Sequence, residues 1–593
     1  MHDALAWMRA SAIPLATVKA ANGLADLEPL RALIVDARIV SLGEATHATR
    51  EFFQLKHRLL EFCVAELGFT VFAMEESFSR SLLVNDYVVN GTGSAADALS
   101  SFKWCWQTEE VLALIEWIRA WNETHARKVK FYGFDMSPSA PALIGLGSYL
   151  RRVADKLAAE CEALLAPLSS NFTEFMLDEL PSSVREAMLA CVERVIVAFA
   201  CERVGWVGAT SEIEWRLARQ QAVELQQEVR MMSALAESGS EMGAYVVRDR
   251  AMAENVRNLL DMEGDDAKAV LWSHNLHAGR SSFLQNDASH PFMGLCLHEL
   301  FGSRHLVAGF VFDQGSFRAW SGGAIAEHSV PPAPAGSFEA PFAAVGLPLY
   351  ALDLRNAPSE GSVADWLLSR PSRSFGGGYS PESEREREEW LEAIWRRRID
   401  MFDLVIYVGT TTASRPIRSI ATEPPSKCST VPKPANLDLL EGDGLPRGWT
   451  VMTAEDSAFP HTIALSDAPS PSGGHTVSIS RHSAPWPWGE GVLAQRFDAT
   501  PWRGQRLRFG ASIRTTAKGF GAGAQIYVRA WSTSGDGGGA VHATLADGPA
   551  RSAQWGKYTV ELDVPTGADV IEVGLISTGN GSASFGDLEL KAR

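Results

Sequence analysis

The stretch Arg38-Ile-Val-Ser-Leu-Gly-Glu-Ala-Thr-His-Ala-Thr-Arg-Glu-Phe-Phe53 decides the fold. Its opening, Arg38–Leu42, is short, apolar and β-branched and stops at a glycine, which predicts a buried strand. From Glu51 to Leu67, the residues Phe52, Leu55, Leu59, Cys63 and Leu67 recur at helical spacing and predict an amphipathic helix. Phe69–Met74 then reads as a second buried strand. A strand–helix–strand order implies a parallel sheet with helices packed on it.

Working outward, the same strand signal recurs at Val129–Phe134, Ala267–Ser273, Leu306–Phe312 and Leu404–Val408. Residues from about 138 to 262 hold almost no strand-like segment. Ser182–Ala200 and Glu212–Ala236 read there as long helices, so this is a helical insertion. Pro331 to Pro381 is rich in Pro, Gly and Ser and predicts mostly loop. The prolines between Thr422 and Pro434 mark a linker, placed at 426–437. Beyond it the helical signal vanishes, and Leu507–Ile513, Gly523–Trp531, Trp555–Val564 and Val570–Ser577 read as short strands. The expected fold is therefore α/β over 1–425, a mainly parallel sheet with flanking helices and a helical insertion, followed by an all-β jelly-roll sandwich over 438–593.

A chain of 593 residues exceeds what one core usually organises, which agrees with two or more domains. Lys and Arg number 54 against 71 Asp and Glu, and the net charge of −17 would repel a phosphate backbone. Nucleic acid is therefore not an expected partner. The seven cysteines are scattered without a Cys-x-x-Cys spacing, as in a reduced cytosolic protein. The start, Met-His-Asp-Ala-Leu-Ala-Trp-Met-Arg, lacks the pattern of a signal peptide, and no apolar run approaches the ~18 residues of a membrane span. The expected location is cytoplasmic, with no membrane partner.

Four expected strands end in ionisable side chains. Arg38–Leu42 runs into Glu44 and His47, Phe69–Met74 into Glu75 and Glu76, Val129–Phe134 into Asp135, and Ala267–Ser273 into His274, Asn275 and His277. Open α/β sheets bind ligands beyond the carboxyl ends of their strands. Each such residue taken singly reads as a solvated loop residue or a helix cap; together they suit water activation by an imidazole that a carboxylate orients. No Gly-x-Ser-x-Gly elbow is present, so a serine nucleophile lacks its usual signal. His and Glu equally fit a metal site, and the three-residue spacing of His274 and His277 leaves that choice open.

Ser41-Leu-Gly-Glu-Ala-Thr-His-Ala-Thr-Arg-Glu-Phe-Phe53, Phe72-Ala-Met-Glu75, Phe102-Lys-Trp-Cys-Trp-Gln-Thr-Glu-Glu110, Trp117-Ile-Arg-Ala-Trp-Asn122, Tyr132-Gly-Phe-Asp135, Arg248-Asp-Arg-Ala-Met-Ala-Glu-Asn255 and Leu271-Trp-Ser-His-Asn-Leu-His277 resemble, in order, the motifs of the erythromycin esterase family. The resemblance covers most of residues 1–425. It implies hydrolysis of a macrolactone ester with no required metal or cofactor. By position it makes His47 the general base, with Glu44 and Glu75 orienting it or the water. His274 becomes a second essential histidine acting on water or the oxyanion, and His277 a supporting residue. Lys56, a candidate substrate-binding residue, fills a position where macrolide-hydrolysing relatives can carry arginine, and it loses the planar bidentate donor. Trp104 and Trp106 are candidates to line the substrate cleft, with core packing as the alternative. Asp135, Arg248 and Asp249 read as structural ion pairs.

Residues 438–593 more loosely resemble galactose-binding-like or carbohydrate-binding modules, through Val564-Pro-Thr-Gly-Ala568, Ile571-Glu-Val-Gly-Leu575 and Gly579-Asn-Gly-Ser-Ala-Ser-Phe-Gly-Asp587. A glycan is thus a candidate ligand, with Trp486, Trp488 and Trp531 as an aromatic platform or as buried core. Three functions are expected, in this order: an esterase-like hydrolase acting on an ester or lactone of a bulky natural product such as a macrolide; a biosynthetic tailoring enzyme performing cyclisation, dehydration or amide chemistry on a natural product or peptide; and a non-catalytic binding protein acting through the sandwich.

Overall fold

Strands β1 (Ala12–Pro14), β2 (Ile39–Leu42), β3 (Val71–Ser77), β4 (Lys130–Asp135), β5 (Ala269–Trp272), β6 (Ser282–Gln285), β7 (Ala288–Pro291), β8 (His305–Ser321), β9 (Ala324–Val330), β10 (Leu349–Asp353) and β11 (Leu404–Thr411) succeed one another in the first part of the computed structural model. All but the β6–β7 hairpin join one nine-stranded sheet of order β1-β10-β11-β8-β2-β5-β3-β4, with β9 folded back on β8. From β11 to β4 every neighbouring pair is parallel, while β10 runs antiparallel to both its neighbours. The mainly parallel sheet expected from the strand–helix–strand order is present.

The described residues are 2–136, 140–169, 180–238, 241–285, 288–321, 324–369, 375, 379, 401–417, 448–451, 461–466, 468–481, 490–531, 541–545 and 549–592. They cluster into two compact units, Met1–Ser137 with Ser238–Thr422 and Pro138–Glu237 with Glu423–Arg593. The linker expected at 426–437 and the tryptophans at 486 and 488 lie outside the described residues. Among the described residues no helix is long and apolar enough to cross a membrane.

The helix Arg50–Leu67 follows β2, as its periodicity requires, and buries Phe52, Phe53, Leu55, Leu59, Leu60 and Phe62. Each such side chain contributes about 1.5–3 kcal/mol relative to exposure. Gly68 ends it at φ 72°, a left-handed residue whose N–H returns to the Cys63 carbonyl. The helix also buries Lys56 and His57, and it buries Arg58 and Glu61 where the 17–26 segment covers it. There Arg58 donates to Asp26 and to the carbonyls of Thr17 and Gly23.

Two features escaped the sequence pattern. β10, with the helix Ser362–Ser369, lies inside the Pro331–Pro381 stretch expected to be mostly loop. Its Leu-Tyr-Ala-Leu-Asp is apolar enough, but the flanking Pro and Gly residues mask so short a strand. β3 also runs past Met74 to Ser77, so Glu75 and Glu76 lie within it rather than after it. Opposite β4 its register shifts, Met74 facing Gly133 and Ser77 facing Asp135, so two β3 residues oppose Phe134 alone. This bulge re-aims the two carboxylates. It is possible because Gly133 has no side chain: a Cβ there would lie 2.2 Å from the Glu76 carbonyl oxygen and 2.4 Å from that of Ser77.

In the second unit, two antiparallel sheets share the strand Val570–Ala592. Residues 570–578 pair with Glu490–Asp498 and Lys518–Trp531, and residues 581–592 pair with Thr476–Arg481 and Arg506–Thr515. Phe497, Phe509, Ile526, Val528, Ile571 and Phe585 fill the core between them. The strand Lys518–Trp531 also meets the helix Ala140–Val153. On its other face Tyr527 forms a small buried cluster with Val492, Ala494 and Ile576, and donates to Glu572, which pairs with Arg496.

Gly133→Ala overpacks the bulge and lowers stability by about 1–3 kcal/mol. Gly205→Ala, where an added Cβ meets nothing within 4 Å, leaves it unchanged or slightly raised. Thermal melts of the two variants check this, and an unchanged Gly133→Ala melt would remove the steric role.

Candidate active site

The strand register sets four chemistry-bearing ends side by side. Leu42 pairs with Trp272, Trp272 with Met74, and Met74 with Gly133, so β2, β5, β3 and β4 reach one level together. One or two residues further on stand Glu44, His274, Glu75 with Glu76, and Asp135, on neighbouring strands about 4.8 Å apart.

The turn after β2 is held through its backbone. The carbonyls of Glu44, Ala45 and Ala48 accept from the N–H groups of Asn275, Phe375 and Ser414 at 2.8, 2.7 and 3.0 Å. Asn275 bonds Phe310 through both side-chain atoms, passing over Gly43, where a Cβ would lie 2.1 Å from the Asn275 Oδ1. Ala48 sits at φ 55°, a left-handed geometry that costs a non-glycine residue about 1–2 kcal/mol. That strain turns the chain from strand to helix within the buried space available. Thr49 caps the helix by position only, since its hydroxyl bonds Thr46 instead.

Glu44 is wholly buried and fully engaged. Oε1 accepts from His47 Nδ1 at 2.6 Å, and Oε2 accepts from Lys56 Nζ at 2.7 Å and from Trp272 Nε1 at 3.0 Å. A carboxylate can only accept, so Nδ1 of His47 carries the proton and the neutral ring keeps its lone pair on Nε2. The His47 side chain is 14% exposed, and its ring centre lies 5.2 Å from that of His274 and 5.6 Å from Trp106. The Lys56 side chain is 0% exposed, so it is no surface lysine. Its ammonium also donates to the Ser273 carbonyl and sits 4.6 Å from the Trp272 ring centre. Burial pushes its pKa down to about 8 against the pull of Glu44.

A second network adjoins the first. Arg248, on the helix Glu241–Glu263, donates to Asp135 at 2.7 Å and to Glu75 Oε1 at 2.9 Å. Lys103 donates to the same Asp135 oxygen, Oδ2, at 2.8 Å, and its backbone N–H to Glu76 at 2.7 Å. Burial opposes ionisation of Asp135, but Arg248 and Lys103 outweigh it and hold the carboxyl far below the usual range. Glu75 is likewise raised by burial and lowered further by His277, Arg248 and His47, ending well below. Its Oε2 accepts the His274 backbone N–H at 3.0 Å.

The two histidines of the third motif are driven apart. His277 gives Nδ1–H to Asp249 at 2.8 Å and turns Nε2 toward Glu75 at 3.4 Å. Burial lowers its pKa, yet the two carboxylates win and raise it. His274 accepts the Leu276 N–H at Nδ1, and burial together with the charges of His47 and His277 keeps it well below the usual imidazole value. A neutral and a readily protonated imidazole therefore stand three residues apart.

Of the sequence candidates, His47, Glu44, Glu75, His274, His277 and Lys56 converge in these two networks. Trp106 is buried against His47 and donates Nε1 to the Glu75 carbonyl at 3.3 Å, while Trp104 is half-buried. Asp135 forms the ion pair expected of it with Arg248, while Arg248 and Asp249 do more, since Arg248 lowers the pKa of Glu75 and Asp249 raises that of His277. Trp272 and Lys103 were missed as contributors. The strand alternation that puts Trp272 two residues before His274 was the available signal for the first, and Lys103 carried none. Among the described residues no three His, Cys, Asp or Glu side chains are grouped to hold a metal ion.

The family model for erythromycin esterase matches residues 64–411. The erythromycin esterase type II of Escherichia coli is 27% identical over 297 residues, covering 47% of this chain and 69% of that protein. A crystal structure of a Bacillus cereus protein is 24% identical with a TM-score of 0.61, covering 70% of this chain and 99% of that one. A mutant erythromycin esterase in its open conformation is 18% identical with a TM-score of 0.50, covering 66% and 95%. Both likenesses are of fold.

Arg248→Met leaves Asp135 and Glu75 buried without their guanidinium and costs about 3–5 kcal/mol. Both carboxyls have depressed folded pKa values, so their contribution is present above the ordinary carboxylate range and is lost as pH falls through the folded values. The variant therefore unfolds at a higher pH on acidification than the wild type. Circular dichroism across an acid titration reads the midpoint, and coincident midpoints would dismiss the pairing.

Proposed function

The chain belongs to the erythromycin esterase family, and from that premise we propose that it is a carboxylic-ester hydrolase in which a histidine-activated water attacks an ester or lactone of a bulky natural product such as a macrolide. The observation that carries the reading is the His47–Glu44 pair: a slightly exposed imidazole whose Nδ1 proton is fixed on a wholly buried carboxylate. Such a ring presents a basic Nε2 outward, and the carboxylate stabilises the imidazolium that forms on proton uptake.

In this reading Nε2 of His47 takes a proton from water as the oxygen attacks the ester carbonyl. The carbonyl oxygen becomes an oxyanion beside the Arg248 guanidinium and His277, whose pKa Asp249 and Glu75 raise against burial. His274, kept neutral against His47, bounds the same space and acts on the water or the oxyanion. The tetrahedral intermediate then collapses, the ester C–O bond breaks, and the His47 proton passes to the leaving alkoxide. The products are an acid and an alcohol, one water having been consumed. Glu75 orients this assembly through the His274 backbone and His277. Lys56 has no exposed surface and acts through Glu44 rather than on substrate.

His47→Gln and Glu44→Gln each lower kcat for ester hydrolysis by about 10²–10⁴-fold. The assay is a panel of macrolides and simpler lactones read by mass spectrometry, in which hydrolysis adds the mass of one water. Full activity in the His47 variant would sink the assignment. Products lighter by one water would favour the tailoring reading, which the lysine at position 56 motivates.

The Lys56 ammonium exists below about pH 8 and is lost above it. Activity that needs Glu44 held by a cation therefore declines as pH rises through that value. In Lys56→Arg, whose guanidinium does not titrate there, the decline disappears. A kcat–pH profile that is identical in the two proteins counts against the role.

A further inference from the structure

We propose that Cys161 and Cys191 form a peroxide-oxidised thiol pair, whose disulfide ties the helix Asp155–Leu164 to the helix Ser182–Cys201. The two sulfurs face each other at 3.2 Å across packed helices, 30 residues apart in the chain. A disulfide needs about 2.05 Å, so closing the bond asks for an approach of about 1 Å. Helix positions that serve only packing are filled as well by alanine or valine. Cys63 and Cys105 are also buried, but neither faces a second sulfur among the described residues.

The surroundings suit this chemistry. Cys161 and Cys191 are 0% and 2% exposed, so bulky reagents are excluded. Directly over them, Glu160 and Arg194 make an ion pair at 2.9 Å with side chains 58% and 57% exposed, so the sulfurs lie one layer beneath the surface. Hydrogen bonds from Cys161 and then Arg194 lower the pKa of Cys191, so Cys191 supplies the thiolate. The thiolate attacks one oxygen of hydrogen peroxide; the O–O bond breaks and, with a proton taken up, water leaves a sulfenic acid on Cys191. Cys161 then attacks that sulfur, the S–S bond forms, the S–O bond breaks, and a second water departs. Two thiols lose two electrons and two protons, and one peroxide becomes two waters.

The bond would stiffen a helical layer that the sandwich already holds. Glu162, one residue beyond Cys161, pairs with Arg151 and, at 3.1 Å, with Arg551 of the sandwich. Oxidation thus converts a packed helix pair into a cross-linked one on a fixed support, and a thiol reductant reverses it.

The test treats the full-length protein with limiting hydrogen peroxide, alkylates it in denaturant, and maps peptides by mass spectrometry alongside thermal melts. Expected are a loss of two hydrogen masses, a peptide joining Cys161 to Cys191 that forms before the exposed Cys201 is oxidised, and a rise in Tm that dithiothreitol abolishes. Cys161→Ala and Cys191→Ala each lose the peroxide-dependent rise, read against each variant's own reduced melt. The proposal is overturned if both cysteines remain alkylatable while Cys201 oxidises. It is equally overturned if Cys191 ends as a sulfinic acid, or if the cross-link forms no faster in folded than in denatured protein.

Discussion

A buried carboxylate that must be satisfied on every side organises this site. Glu44 has no contact with solvent, and an ionised group there costs several kcal/mol unless hydrogen bonds and counter-charge replace water. Its three donors come from three places: Lys56 from the helix, Trp272 from the neighbouring strand and His47 from the turn itself. The carboxylate can therefore be buried only when β2, β5 and the helix are all docked. The tight, left-handed passage at Ala48 follows from the same demand, because a looser turn would carry His47 away from Oε1.

The Arg248 network solves the same problem by a different balance. Arg248 arrives from a helix more than a hundred residues after β4 and lies between Asp135 and Glu75, with Lys103 sharing the Asp135 Oδ2. Because Glu75 is held ionised, it reaches two histidines in two ways: it receives the backbone of His274 and faces the ring of His277. The first ring is thereby positioned without being charged, while the second is pulled toward protonation by Glu75 and Asp249 together. Environment, not residue type, moves the two imidazoles in opposite directions, and a separation of this kind is how one site gives two like residues different roles.

Much of this was legible in the sequence because parallel strands end together. Strand ends carrying Glu44, Glu75, Asp135 and His274 need only a shared register to meet, and short apolar runs announce such strands plainly. What was hidden depends on residues without a local period. The bulge in β3 leaves no mark in Val-Phe-Ala-Met-Glu-Glu-Ser; only Gly133, on a different strand, makes room for it. Lys56 sits four residues after Phe52, on the face that the helix's periodicity marks as buried, and what admits a lysine there is the Glu44 carboxylate and the Ser273 carbonyl that take its ammonium, a pairing no local pattern announces. β10 is five residues long between prolines and glycines, so its place in the sheet is fixed by pairing with β11 rather than by its own composition.

The sandwich shows why fold likeness alone is a poor guide to binding. One face of each sheet must be buried to make the core, so a ligand platform would need the other face to be open. Here the outward face around Tyr527 is itself dry: Val492, Ala494 and Ile576 pack beside it, and Glu572 is buried with its charge met by Arg496 and the tyrosine hydroxyl. The helix Ala140–Val153 lies against the same strand, and Glu162 of the next helix pairs with Arg551. Leaving a glycan platform on that face would require undoing these contacts and exposing a carboxylate–tyrosine pair satisfied only within the protein. The physical task this face already performs is to hold the helical segment of its own chain.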